Sequence, residues 1–98
     1  MDCICLDYSN DLAFLMFKDL DNWEYENNTI SRTFEFSSYL SGVNFLSKIA
    51  SLAEEVNHHP DMTLSWCKVH VALTTHDSGD VTDKDIALAK LCDQHFKD

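Results

Sequence analysis

Three histidines fall in two short clusters, Asn57-His58-His59-Pro60 and Thr74-Thr75-His76-Asp77. Imidazole is the side chain that ordinarily changes charge between about pH 5 and 8, so such a set suits general acid–base chemistry. It also suits a metal such as zinc, which takes His, Cys and carboxylate ligands. The spacing weighs against metal. Adjacent histidines point their Cβ vectors apart, and neither HExxH nor a pair of CxxC motifs occurs. Cys3-Ile4-Cys5 has no second cysteine pair to complete a site. No glycine-rich elbow surrounds a serine, and two glycines in all leave no phosphate-cradling loop. No metal ligand is assigned.

The elements around the clusters decide what the imidazoles can reach. Ser37 and Ser38 are N-cap candidates for a long helix. Val43, Leu46, Ile49, Ala50, Ala53 and Val56 form its apolar stripe, and Phe45 and Leu52 widen that stripe to more than half the girth. Pro60 disfavours helix at His59, so the helix ends near Asn57-His58. His58 and His59 then sit at a helix C-terminus, where the macrodipole favours a cationic imidazole. Glu54 precedes His58 by four residues and Glu55 precedes His59 by four, so if the helix persists that far each carboxylate can reach its histidine and favour its charged form.

Residues 66–76 read as one long strand ending in His76. Cys67, Val69, Val71, Leu73 and Thr75 share one face, and Trp66, Lys68, His70, Ala72, Thr74 and His76 share the other. His70 lies six residues before His76, roughly 20 Å at about 3.3 Å per residue, and belongs to no common site. Spacing alone does not bring His76 to His58-His59. Ser78-Gly79-Asp80 is a turn, and Asp77 before it is suited to a side-chain-to-backbone turn bond. Thr82-Asp83-Lys84-Asp85 resembles a capping box with Asp85 in the usual Glu position. It opens a last helix carrying Ile86, Ala89, Cys92 and Phe96. Capping alone is a sufficient account of Asp85.

Upstream, Leu12, Leu15, Met16 and Leu20 predict a short helix over residues 11–20. Trp23 and Tyr25 suggest a strand, and Asn27-Asn28 a tight turn. Ile30, Arg32, Phe34 and Phe36 share one face of a second strand; Arg32 must snorkel to the sheet edge or pair with a carboxylate. The order is helix, two strands, helix, one or two strands, helix. It predicts an α+β fold, a single antiparallel β-sheet with α-helices packed on one face.

The 98 residues fit one domain spanning 1–98, with a core thin enough to favour subunit association. Seventeen acidic residues against seven basic ones give a net charge of −10, with no Lys/Arg cluster. Direct nucleic-acid binding and docking on an anionic membrane are therefore disfavoured. No signal peptide or membrane span is read, so a reducing, cytoplasmic location is expected.

Together these residues resemble a known family. Ala53-Glu54-Glu55-Val56-Asn57-His58-His59-Pro60, then Thr74-Thr75-His76-Asp77 and Val81-Thr82-Asp83-Lys84-Asp85, are similar to the pterin-4a-carbinolamine dehydratases. Trp23, the run Ile30 to Phe36 and the Phe45 to Ala53 helix extend the likeness over about residues 8 to 96. The resemblance implies loss of water from 4a-hydroxytetrahydropterin to give quinonoid dihydropterin, a step in tetrahydrobiopterin recycling beside an aromatic amino acid hydroxylase. It implies His58, His59 and His76 as the catalytic set, with His58 and His76 as acid and base and His59 orienting the pterin. Glu54, Pro60, Thr75, Asp77 and Asp85 are implied as supporting or substrate-binding positions. No metal or organic cofactor is implied, and the chain is expected to form a homodimer or homotetramer. The alternative is a binding role without significant catalysis, as a dimerisation partner of the transcriptional coactivator type. The chain departs from the family pattern at Asp80, where a second glycine is usual, at Met62 and at Trp66.

Overall fold

The computed structural model describes residues 20–96. The expected first helix and the Cys3 and Cys5 thiols lie outside them, apart from Leu20, which is buried. The described residues run β1 (Glu24–Glu26), β2 (Thr29–Glu35), α1 (Tyr39–Val56), β3 (Asp61–Ser65), β4 (Lys68–Leu73) and α2 (Asp83–His95). Their strands form one antiparallel sheet in the order β1-β2-β4-β3. This is the α+β arrangement that the element order predicts.

Local chemistry explains the hairpins. Asn27 and Asn28 both take positive φ, 56° and 61°, which asparagine tolerates and a two-residue hairpin with native twist requires. β2 alternates as its sequence dictates. Ile30 and Phe34 are fully buried opposite Leu73 and Val69 of β4, while Thr33 pairs with His70 on the exposed face. The helices cover the first of these faces. Arg32 takes the second of its two sequence options. Its guanidinium pairs with Asp93 at 2.6 Å and lies 4.3 Å above the Phe34 ring, so a charge on the apolar face is matched by a carboxylate and a π-cloud. The Trp23 indole N–H donates to the same carboxylate at 3.0 Å.

The long strand expected over residues 66–76 is corrected. Trp66 and Cys67 form the turn between β3 and β4, with Ser65 paired to Lys68. Cys67 sits at φ 60°, a region that costs a side-chain-bearing residue, and its carbonyl accepts the Phe36 N–H at 2.9 Å. β3 is an edge strand in which Met62 and Leu64 alternate with exposed Asp61, Thr63 and Ser65. The strand β4 ends at Leu73, so His76 belongs to a turn and not to a strand end.

Ser38 caps α1, its hydroxyl accepting the Ser41 N–H at 3.1 Å. The buried stripe of α1 is Gly42, Phe45, Ile49 and Ala53. It is narrower than the sequence stripe and turned toward Phe45, whose ring joins Phe34, Phe36 and Phe96 in one aromatic cluster. Gly42 allows close approach to the sheet, since a Cβ there would already stand 3.4 Å from Leu64 Cδ1 and 3.5 Å from Val69 Cγ2. Val56, assigned to the apolar stripe, is instead half exposed.

Candidate active site

The first histidine cluster is aimed by the end of α1. Asn57 adopts the left-handed conformation at φ 54°, and the next N–H, that of His58, reaches back to the Ala53 carbonyl at 3.1 Å. The chain therefore leaves the helical path before His58. The expected pairings of Glu54 with His58 and Glu55 with His59 presuppose that the helix continues, and both are replaced. Glu54 bonds His59 Nε2 at 2.6 Å, and His58 turns to Asp85. The His59–Glu54 pair is exposed, whereas the side chain of His58 is only 15% exposed and that of Asp85 is fully buried.

Asp85 has two jobs. As the third residue of α2 it accepts the Thr82 N–H at 2.9 Å through Oδ2, the reach-back bond of a capping box. The same Oδ2 accepts the Thr75 hydroxyl at 2.7 Å, and Oδ1 takes His58 Nε2 at 2.6 Å. Three donors on one buried carboxylate satisfy a charge that would otherwise be costly to bury. With Oδ1 as the acceptor, the imidazole N–H is the donor of that contact. The Thr82 hydroxyl lies 2.7 Å from that of Thr75 and closes the network. Its part here has no local sequence signal beyond its capping position.

The second cluster is tied to the first through Thr75. Thr75 is buried and bonds Asp85, while its neighbour His76 is exposed in the turn that follows. That turn is closed by Thr75 N–H to the Asp80 carbonyl at 3.1 Å and by Gly79 N–H to the Thr75 carbonyl at 2.9 Å. Its left-handed residue is Gly79, at φ 71°; Asp80 is spared the positive φ that a second glycine would allow. The side-chain-to-backbone bond expected of Asp77 is made instead by Asp80, whose Oδ1 accepts the Val81 N–H at 2.7 Å. Asp77 is exposed and Pro60 half-buried.

Among the described residues, no three His, Cys, Asp or Glu side chains are grouped so as to hold a metal ion. Burial, helped by the neighbouring Asp93 charge, pushes the Cys92 thiol up to about 12, so it stays protonated and unreactive near neutral pH. No helix of the described residues is long and apolar enough to cross a membrane. What the arrangement offers is a half-buried imidazole held by a buried carboxylate, a second imidazole on the turn anchored to that carboxylate, and a third next to the first in sequence.

A family model described as pterin 4 alpha carbinolamine dehydratase matches residues 9–95. A Natronomonas pharaonis protein provisionally named pterin-4-alpha-carbinolamine dehydratase is 54% identical over 72 residues, covering 74% of this chain and 78% of its own. One from Sulfurisphaera tokodaii, named in the same way, is 44% identical over 75 residues, covering 76% of this chain and 81% of its own. Among solved structures, a transcriptional coactivator/pterin dehydratase from Brucella melitensis superposes with a TM-score of 0.81 at 28% identity, over 93% of this chain and 97% of that one. A pterin dehydratase-like protein identified as a RuBisCO assembly factor of the alpha-carboxysome shares the fold, with a TM-score of 0.62 at 23% identity over 74% and 83% of the two chains.

Proposed function

Because the chain belongs to the pterin 4 alpha carbinolamine dehydratase family, we propose that it removes water from 4a-hydroxytetrahydropterin to give quinonoid dihydropterin. The observation that carries this reading is the buried Asp85 carboxylate, which holds His58 Nε2 at 2.6 Å and the Thr75 hydroxyl, next to His76, at 2.7 Å. A carboxylate that fixes the ring and tautomer of an imidazole is what a proton-transfer residue needs.

The reaction needs two proton transfers. The C4a hydroxyl leaves as water only when protonated, and a ring N–H must give up its proton as the new double bond forms. His58 and His76 take these two roles in the proposal, and the proton given to the hydroxyl is balanced by the one removed from the ring. His59, exposed and paired with Glu54, orients the pterin. The step belongs to pterin recycling beside an aromatic amino acid hydroxylase, in the cytoplasm. Stopped-flow decay of chemically generated carbinolamine tests it. The purified protein is expected to accelerate that decay, and a rate equal to buffer rejects the reading.

A second reading concerns association. Leu40 is 68% exposed in the first turn of α1, beside half-exposed Tyr39, and Val56 is half exposed at its end. Apolar side chains left outside one helix favour a homodimer or homotetramer, or docking of a partner as a coactivator-type protein does. Light scattering at micromolar concentration is expected to give the mass of two or four chains. A monomer under those conditions refutes self-association.

A further inference from the structure

We propose that Tyr25 is a positioning residue for the His76 turn, acting across the fold through Asp80. The proposal deepens the catalytic reading above and rests on it for its kinetic arm. Two contacts run from the β1–β2 hairpin to the segment that carries His76. The Tyr25 hydroxyl donates to Asp80 Oδ1 at 2.6 Å, across 55 residues of sequence. The Thr74 hydroxyl donates to the Asn28 carbonyl at 2.7 Å. The Asn28 side-chain oxygen also stands 3.2 Å from the Tyr25 hydroxyl, so the phenol is held between the tip of its own hairpin and the far turn.

The place of these contacts gives them their meaning. The His76 turn is a loop pinched at its base by the Thr75–Asp80 bridge. On the Thr75 side it is fastened to buried Asp85. On the Asp80 side the phenol fastens Asp80 itself, and beyond it Val81 packs against the core and the Thr82 N–H bonds Asp85. Inside the loop, Ser78 and Gly79 donate their N–H groups to the Thr75 carbonyl at 3.0 and 2.9 Å, and Gly79 also to the His76 carbonyl at 3.1 Å. Those bonds set the shape of the loop but not its direction. Asp80 Oδ1 accepts both the phenol and the Val81 N–H, so the side chain that ends the turn is oriented from two sides.

The bond is also in its strong form at neutral pH. Donation to the Asp80 carboxylate, with burial and the Asp80 charge adding, pushes the Tyr25 phenol up to about 12. The folded value lies above tyrosine's ordinary value of 10.0, so the contribution of this bond is complete below about pH 10 and fades as pH rises from there through 12.

The test combines amide exchange with steady-state kinetics on the full chain, using Tyr25→Phe, Asp80→Ala, the double variant and Asp80→Asn. Tyr25→Phe is expected to speed exchange at Ser78 and Gly79 about fivefold, the size suited to a partly exposed bond to a charged group. Exchange at Ile86 and Ala89 within α2 stays unchanged, kcat falls by a similar factor and KM does not move. Tyr25→Phe adds nothing in the Asp80→Ala background, and Asp80→Asn, which keeps an acceptor oxygen, retains the protection. Unchanged exchange at Ser78 and Gly79, additive effects in the double variant, or a uniform rise that includes α2 would overturn the proposal. Raised exchange with unaltered kcat would overturn it too. If the unmodified chain proves inactive, the dehydratase reading fails while the exchange data still judge the clamp.

Discussion

Alanine at His58 is expected to lower the turnover of carbinolamine dehydration by roughly 10²–10⁴-fold, and alanine at His76 to do the same, since each would remove one of the two proposed proton-transfer groups. The two losses differ in their side effects. His58→Ala also takes one donor from buried Asp85, whose Oδ2 keeps the Thr75 hydroxyl and the Thr82 N–H. His76 is exposed, so His76→Ala is expected to leave the urea midpoint where it was. His59→Ala is expected to raise KM more than it lowers kcat, the pattern of a group that holds the substrate. The measurement is single-turnover decay of generated carbinolamine for each variant. Full turnover by His76→Ala removes that residue from the site, and full turnover by His58→Ala removes the Asp85 dyad as its working part.

Asp85→Ala is expected to cost about 3–5 kcal/mol of folding stability, the range for breaking one partner out of a buried charged network. The arithmetic is physical. The carboxylate is fully buried and is the acceptor for an imidazole, a hydroxyl and a backbone N–H from three separate places in the chain. Alanine leaves all three donors facing a void, and α2 loses the acceptor at its first turn. A small domain has only about 5–15 kcal/mol in hand. Urea unfolding therefore shows a midpoint lowered by more than a molar, at m values of about 1–3 kcal/mol/M. Asp85→Asn keeps the shape and one acceptor, and is expected to lose less. A midpoint shift below half a molar for Asp85→Ala means that the three donors find water, and that the network contributes little to stability.

Much of the fold is written locally, and those parts are legible in the sequence. Ser38 marks the start of α1, the alternation of Ile30 to Phe36 marks β2, Asn27-Asn28 marks its turn, and Thr82 with Asp85 marks the start of α2. The β3–β4 hairpin is hidden for a physical reason. Its turn is Trp66-Cys67, with no Gly, Asn, Asp or Pro, and Cys67 accepts an unfavourable φ because the pairing on both sides demands it. Partnerships are hidden for another. Arg32 meets Asp93 61 residues away, and His58 meets Asp85 27 residues away. Helical spacing favours Glu54 for His58, and only the left-handed turn at Asn57 shows why that pair does not form.

The backbone at Asn57 also says something about how such a site is kept through sequence change. A helical conformation at Asn57 would carry His58 on along the helix, one turn above Glu54, instead of off it toward Asp85. Aim is thus set by the handedness of a single peptide unit upstream of the histidines, not by the histidines themselves. Glycine or asparagine there preserves the direction at little cost, whereas a β-branched residue resists it. Two imidazoles can therefore be lost to chemistry without either being touched, by a substitution that a list of catalytic positions would pass over.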